Sequence, residues 1–127
     1  MQEVNVFEYA IIRVVPRVER EEFLNVGVIL FCKKQDFLGV KYFLPEQKLM
    51  SLYEEIEVET LAAHLQAYKR IALGEKNAGK LGELDKSERF RWLTATRSTI
   101  IQSSKVHSGL SNDLTKTLEK LYREQVL

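Results

Sequence analysis

Three apolar runs open the chain. Residues 6–15 (VFEYAIIRVV) are rich in β-branched and aromatic types and stop at Pro16, which predicts a strand. Its centre is apolar at consecutive positions, as in a central strand covered on both faces. Residues 22–32 (EFLNVGVILFC) predict a second strand of the same kind, and residues 38–44 (LGVKYFL) a third. The polar stretch Lys33–Asp36 suits a tight hairpin turn. The charged link 16–21 is short, so the first two strands should also pair antiparallel. Residues 6–44 therefore read as a strand meander.

From Pro45 the period changes. Proline is tolerated in a first helical turn and Glu46 suits the helix dipole, and Leu49, Leu52 and Tyr53 then fall on one face. A longer helix is predicted over about 57–73, with Leu61, Leu65, Tyr68 and Ala72 as its apolar stripe. Its acidic start, basic end and following Gly74 agree with the dipole and C-cap rules. Residues 75–87 read as a polar surface loop. Residues 89–95 (RFRWLTA) alternate Arg89 and Arg91 outward with Phe90 and Trp92 inward, which predicts a half-buried strand, a short helix being the alternative. Residues 98–103 predict another strand, so 89–105 is a basic strand region. Ser111, Asn112 and Asp113 offer N-cap types before Leu114, Leu118, Leu121 and Tyr122, and the final helix is placed at 112–126. No internal repeat is found. Strands in a run followed by helices indicate an α+β fold. The expectation is a single domain: an antiparallel sheet of four to five strands with about three helices packed mainly on one face.

Composition narrows the classes. A chain of 127 residues is one domain and needs no metal or disulfide staple. Nineteen basic against eighteen acidic residues exclude the strongly basic footprint of a generic DNA-binding domain. That balance hides an asymmetry. Residues 86–105 carry five basic side chains against Glu88, and residues 45–63 five glutamates against Lys48. The single cysteine, Cys32, lies in an apolar run, fits a buried inert thiol, and suits a reducing cytoplasm. The N-terminus lacks the basic region of a secretory signal, and the longest apolar run, Val26–Cys32, is far too short to span a bilayer. No zinc spacing, P-loop, dinucleotide fingerprint or nucleophile elbow is present, so neither metal nor cofactor is expected.

Candidate chemistry lies where polar residues break the pattern. Arg13 interrupts the first strand and falls opposite Leu24 or Asn25 in a hairpin. Asn25 and Gly27 interrupt the second, both on the face of Phe23 and Ile29, and Glu22 is near its start. Arg13, Glu22 and Asn25 form either a structural polar cluster with a bulge or an anion pocket with Arg13 as the fork donor. The basic segment interleaved with Phe90 and Trp92 has the charge-plus-stacking character of single-strand nucleic-acid binding, or else a core pair beside a solvated face. Ser98 lies in a hydroxyl-rich stretch suited to phosphate. His64 sits at the edge of a helix stripe and reads as core-edge. His107, in a loop ahead of the last helix, is a general-base candidate without an assignable partner. The catalytic candidates are thus Glu22 and His107. The binding candidates are Arg13, Arg17, Glu22, Asn25, Arg89, Arg91, Arg97 and Ser98.

The runs YAIIRVVPRVEREEFLNVGVILF (9–31) and RFRWLTATRSTIIQSSKVHSGLSND (89–113) resemble a small bacterial family catalogued as domain of unknown function 3037. The matching positions include Arg13, Pro16, Arg20, Glu22, Phe23, Asn25 and Gly27, then Arg89, Phe90, Arg91, Arg97, Ser98 and His107. The resemblance implies a stand-alone bacterial cytoplasmic protein with no known activity. It also suggests a protein partner, with a kinase-like protein of the HipA type as the candidate. The expected function is a non-enzymatic accessory or binding module for a protein partner or an anionic ligand, with nucleic acid or phosphate as ligand classes. The alternative is a small phosphate-ester hydrolase or transferase in which Arg13, Arg91 and Arg97 stabilise developing charge.

Overall fold

The computed structural model describes residues 3–17, 20, 22–97 and 99–127. In chain order the strands and helices are β1 (Asn5–Val14), β2 (Leu24–Cys32), β3 (Phe37–Tyr42), α1 (Glu46–Leu52), α2 (Val58–Leu73), α3 (Lys86–Leu93), β4 (Ile101–Ser103), β5 (His107–Ser111) and α4 (Leu114–Gln125). Two short 3-10 turns, Lys76–Ala78 and Lys80–Glu83, fold the 75–85 link against the end of α2. The described residues thus form an α+β fold with an antiparallel five-stranded sheet and four α-helices. No helix is long and apolar enough to cross a membrane among these residues.

The sheet runs β3-β2-β1, and both β4 and β5 pair with the remaining side of β1. β4 takes the C-terminal half, with Ile12 opposite Ser103, and β5 the N-terminal half, with Tyr9 opposite His107. Between those pairs β1 holds two residues and the other strand three, which is a one-residue bulge. Ser104 mends the ladder there. Its N–H donates to the Ile11 carbonyl at 2.9 Å, and its Oγ accepts the Ile11 N–H at 2.8 Å. A side-chain oxygen stands where a backbone carbonyl would, so β4 and β5 form one interrupted edge strand.

A second irregularity sets the faces of the β1–β2 hairpin. Ile12 pairs with Gly27 but Arg13 pairs with Asn25, leaving Val26 as the extra residue. Val26 and Gly27 consequently both face the side of Ile12, Ile29 and Phe31, where α1, α2 and α3 pack. Gly27 is required by close approach. A Cβ there would lie 2.7 Å from Tyr42 Cβ and 2.8 Å from the Lys41 carbonyl oxygen. The main core lies on this face, with Leu49, Leu61, Leu65, Phe90 and Leu93 against the sheet. The opposite face carries Phe7, Ile11, Val28 and Leu30 under α4, which supplies Leu114, Leu118, Leu121 and Tyr122. Three helices therefore share one face and α4 covers the other. This two-sided cover is why β1 and β2 are apolar at successive positions.

Two segments differ from the sequence expectation. Residues 89–93, expected as the start of the basic strand region with a short helix as the alternative, lie in helix α3, which begins at Lys86 in the expected loop. Asp85 caps it, accepting the Glu88 N–H at 2.8 Å, and Glu88 occupies the third helical position of a D-x-x-E capping pattern. The Arg-Phe-Arg-Trp alternation lasts only four residues, too few to distinguish a period of 2 from one of 3.6. In the helix Phe90 and Leu93, three apart, point inward, while Trp92 is 40% exposed. Residues 107–111, expected as loop, are strand β5. Leu110 is its only large apolar residue, and pairing to β1, not a hydrophobic pattern, makes it a strand.

Candidate functional site

The polar breaks expected to cluster are distributed over two faces. The Val26 bulge places Asn25 on the α4 side, away from Ile29, where its Nδ2 donates to the Gln125 carbonyl at 3.0 Å. Arg13, its cross-strand partner, lies over the Phe23 ring at 4.1 Å. Arg13 Nε and Asn25 Oδ1 are buried and have no hydrogen-bond partner among the described residues. Arg13, Phe23 and Asn25 thus form one corner at the C-terminal end of α4.

Glu22 is engaged elsewhere. Its carboxylate meets Arg20 at 2.8 Å and accepts the Tyr53 hydroxyl at 3.2 Å. Desolvation, with the neighbouring Glu22 carboxylate, holds the Tyr53 phenol above its ordinary value, while Arg20 acts in the opposite sense. Arg17 reaches Glu55 at 3.8 Å. Arg17, Arg20, Tyr53 and Glu55 line an open polar trough of about 840 Å³ between the end of β1 and the α1–α2 turn. Its lining carries two arginines and three glutamates, and the Arg17–Glu55 and Arg20–Glu22 pairs are largely solvent-exposed, so they contribute little to stability.

The basic segment is reduced by its own fold. Lys86 pairs with Asp36 at 3.1 Å. Arg89 is buried, its Nη1 donating to the Leu84 carbonyl at 2.5 Å and its guanidinium packing on Gly74. Gly74 is the left-handed residue ending α2, with Glu75 N–H bonded to Arg70 and Gly74 N–H to Ile71. A guanidinium at that carbonyl-rich helix end is favoured by the dipole, so Arg89 is a structural clamp between α2 and α3. Arg91 is exposed on α3. Arg97 folds back over the Trp92 ring at 4.0 Å and donates to the Trp92 carbonyl. Ser98 lies outside the described residues.

His107 opens β5, exposed, its ring 5.3 Å from that of Tyr9. Four residues along β1 separate Tyr9 from Arg13, about 13 Å at the rise of a strand. His107 is therefore remote from Arg13, Glu22 is engaged by Arg20 and Tyr53, and Arg91 and Arg97 are on elements of the other face. Among the described residues the candidates form no nucleophile–base pair, and Arg13, Arg91 and Arg97 do not surround one point.

What the tertiary structure does assemble is a groove that sequence reading missed. α2, α3 and the approach to β4 enclose about 350 Å³, lined mainly by Ala63, Ala67, Ile71, Trp92, Leu93 and Ile101, with His64, Tyr68, Arg97 and Thr99. Tyr68 is held by a 3.3 Å bond from its hydroxyl to the Leu93 carbonyl. Burial pushes its phenol well above the ordinary value, against a smaller opposing effect of Arg97. It is therefore a neutral donor at physiological pH. The signal available in sequence was the pair of alanines four apart on α2, beside an aromatic that the helical period of 86–93 leaves half outside.

The described residues define an α+β domain with a mostly apolar, aromatic-rimmed groove. The family model for a protein of unknown function, DUF3037, matches residues 9–126. The chain belongs to this family. No curated protein and no solved structure matches it.

Proposed function

We propose that this chain is a non-enzymatic cytoplasmic binding module, and that its partner is a protein held in the α2–α3–β4 groove. The observation that carries the reading is the exposed Trp92 ring, capped on one side by Arg97, beside the small surface of Ala63 and Ala67. Tryptophan and arginine next to an apolar pocket are the side chains that concentrate binding energy in protein interfaces. The groove suits an apolar anchor from the partner, with an acidic neighbour to meet Arg97. A kinase-like protein of the HipA type is the partner for a first test.

Ala67 is exposed, so Ala67→Arg obstructs the groove without entering the core. The wild-type chain should co-purify with the kinase-like protein and show a shift in Trp92 fluorescence, and A67R should do neither while melting normally. Equal binding by A67R would refute the groove as the contact. The phosphate-ester reading has no such support, because its proposed base and arginines lie on separate elements.

A further inference from the structure

We infer that the chain forms a two-fold homodimer through the free edge of β5. Among the described residues β5 pairs only with β1, so its other edge offers unpaired backbone N–H and C=O groups. Monomeric sheets usually guard such an edge with a lysine, a proline or a covering element. β3, at the far edge, carries Lys41, which pairs with Glu119 of α4 and lies over the Tyr122 ring. The guards on this edge, the Ser104 bulge and Lys105, lie ahead of β5, and β5 itself, HSGLS, contains neither lysine nor proline.

The side chains beside this edge are apolar and uncovered. Val6 and Leu110 are cross-strand partners on the part of the α1–α3 face that those helices do not reach, and they are 63% and 70% exposed. Val4 extends the stripe at 57%. On the opposite face Phe7 lies over Gly109, where a Cβ would come within 2.6 Å of the ring, so that side of the edge is flush and already filled. A contiguous exposed apolar patch beside an unprotected edge marks an association surface.

The occupant that fits is a second copy. β5 has no formal charge at neutral pH with His107 neutral, so it selects no charged peptide, whereas an antiparallel strand edge is complementary to itself about a two-fold axis. An axis through Gly109 sets Leu110 opposite Ser108 of the second copy and brings the two Leu110 side chains into diagonal contact on the bare face. Two five-stranded sheets then continue as one, and the apolar stripes of both copies meet.

The test is sedimentation velocity of the full chain across low to high micromolar concentration, with amide exchange of residues 107–111 measured in parallel. The wild type should pass from monomer to dimer, and the outer amides of β5 should become protected over the same range. Leu110→Lys and Val6→Lys alter exposed side chains, so both should keep the monomer fold by circular dichroism and lose the dimer. A67R, which blocks the groove beside β4 at the opposite end of this edge, should dimerise normally. A wild type that remains monomeric throughout, a dimer that survives both lysine variants, or one abolished by A67R would overturn the inference.

Discussion

Ser104 makes the most specific energetic demand in the fold. At the bulge between β4 and β5 no backbone carbonyl is in register to accept the Ile11 N–H, and Ser104 Oγ accepts it at 2.8 Å. Both residues are buried, at 6% and 5% exposure, so water cannot replace the hydroxyl without local opening. Ser104→Ala removes two hydrogen bonds at little cost in volume, the one accepted from the Ile11 N–H and the hydroxyl's own donation to the Lys105 carbonyl, and with them the pinning of the bulge. Leaving one buried backbone N–H unpaired costs about 1–3 kcal/mol. For a domain of this length that is a drop in melting temperature of about 4 °C per kcal/mol. The assay is urea denaturation, where the midpoint should fall with the slope unchanged. The accompanying site-specific readout is native-state amide exchange, in which the Ile11 N–H should lose protection while Ile29 and Leu30 in β2 follow only the global change. A midpoint unmoved in S104A, or an Ile11 amide as protected as before, would refute the account of the bulge.

Gly27→Ala should destabilise by about 1–3 kcal/mol in the same urea assay, because the new methyl meets the Lys41 carbonyl and Tyr42 Cβ, neither of which can move without shifting β3. Arg89→Met should lose about 1.5–3 kcal/mol, the worth of a hydrogen bond from a charged donor, and hydrogen exchange should show the loss first in the α2 C-terminus and the 3-10 turns. Tyr68 has a folded-state pKa above its unfolded value, so its neutral form favours the fold below about pH 10 and that contribution is lost as pH rises further. Tyr68→Phe should therefore flatten the alkaline limb of stability against pH, measured by thermal melts, and an unchanged limb would show that Tyr68 does not ionise with unfolding.

Much of the fold is legible in the residue pattern. The apolar runs around Ile11 and Ile29 require strands covered twice, and the Leu61–Leu65–Ala72 stripe with Gly74 behind it determines α2 and its end. These are local facts: period, cap and turn chemistry act within a few residues of the chain. The helix at 86–93 was also written locally, in Asp85 and Glu88, but a four-residue alternation of Arg and aromatic side chains competes with that signal. β5 was not legible, because an edge strand of Ser, Gly and His is stabilised by backbone bonds to β1 and not by its own side chains.

The placement of chemistry depended on terms no local reading contains. One extra residue, Val26, turns Asn25 to the α4 face while Glu22 stays with Arg20 and Tyr53, so an expected cluster becomes two separate sites. Arg89, a surface charge in any composition count, becomes a buried clamp because the end of α2 arrives beside it. By itself the sequence determined an α+β chain, its main strands and helices, and which residues depart from their patterns. Only the tertiary structure decided which of those residues meet, because side-chain partners are set by register and by helix packing between segments far apart in the chain.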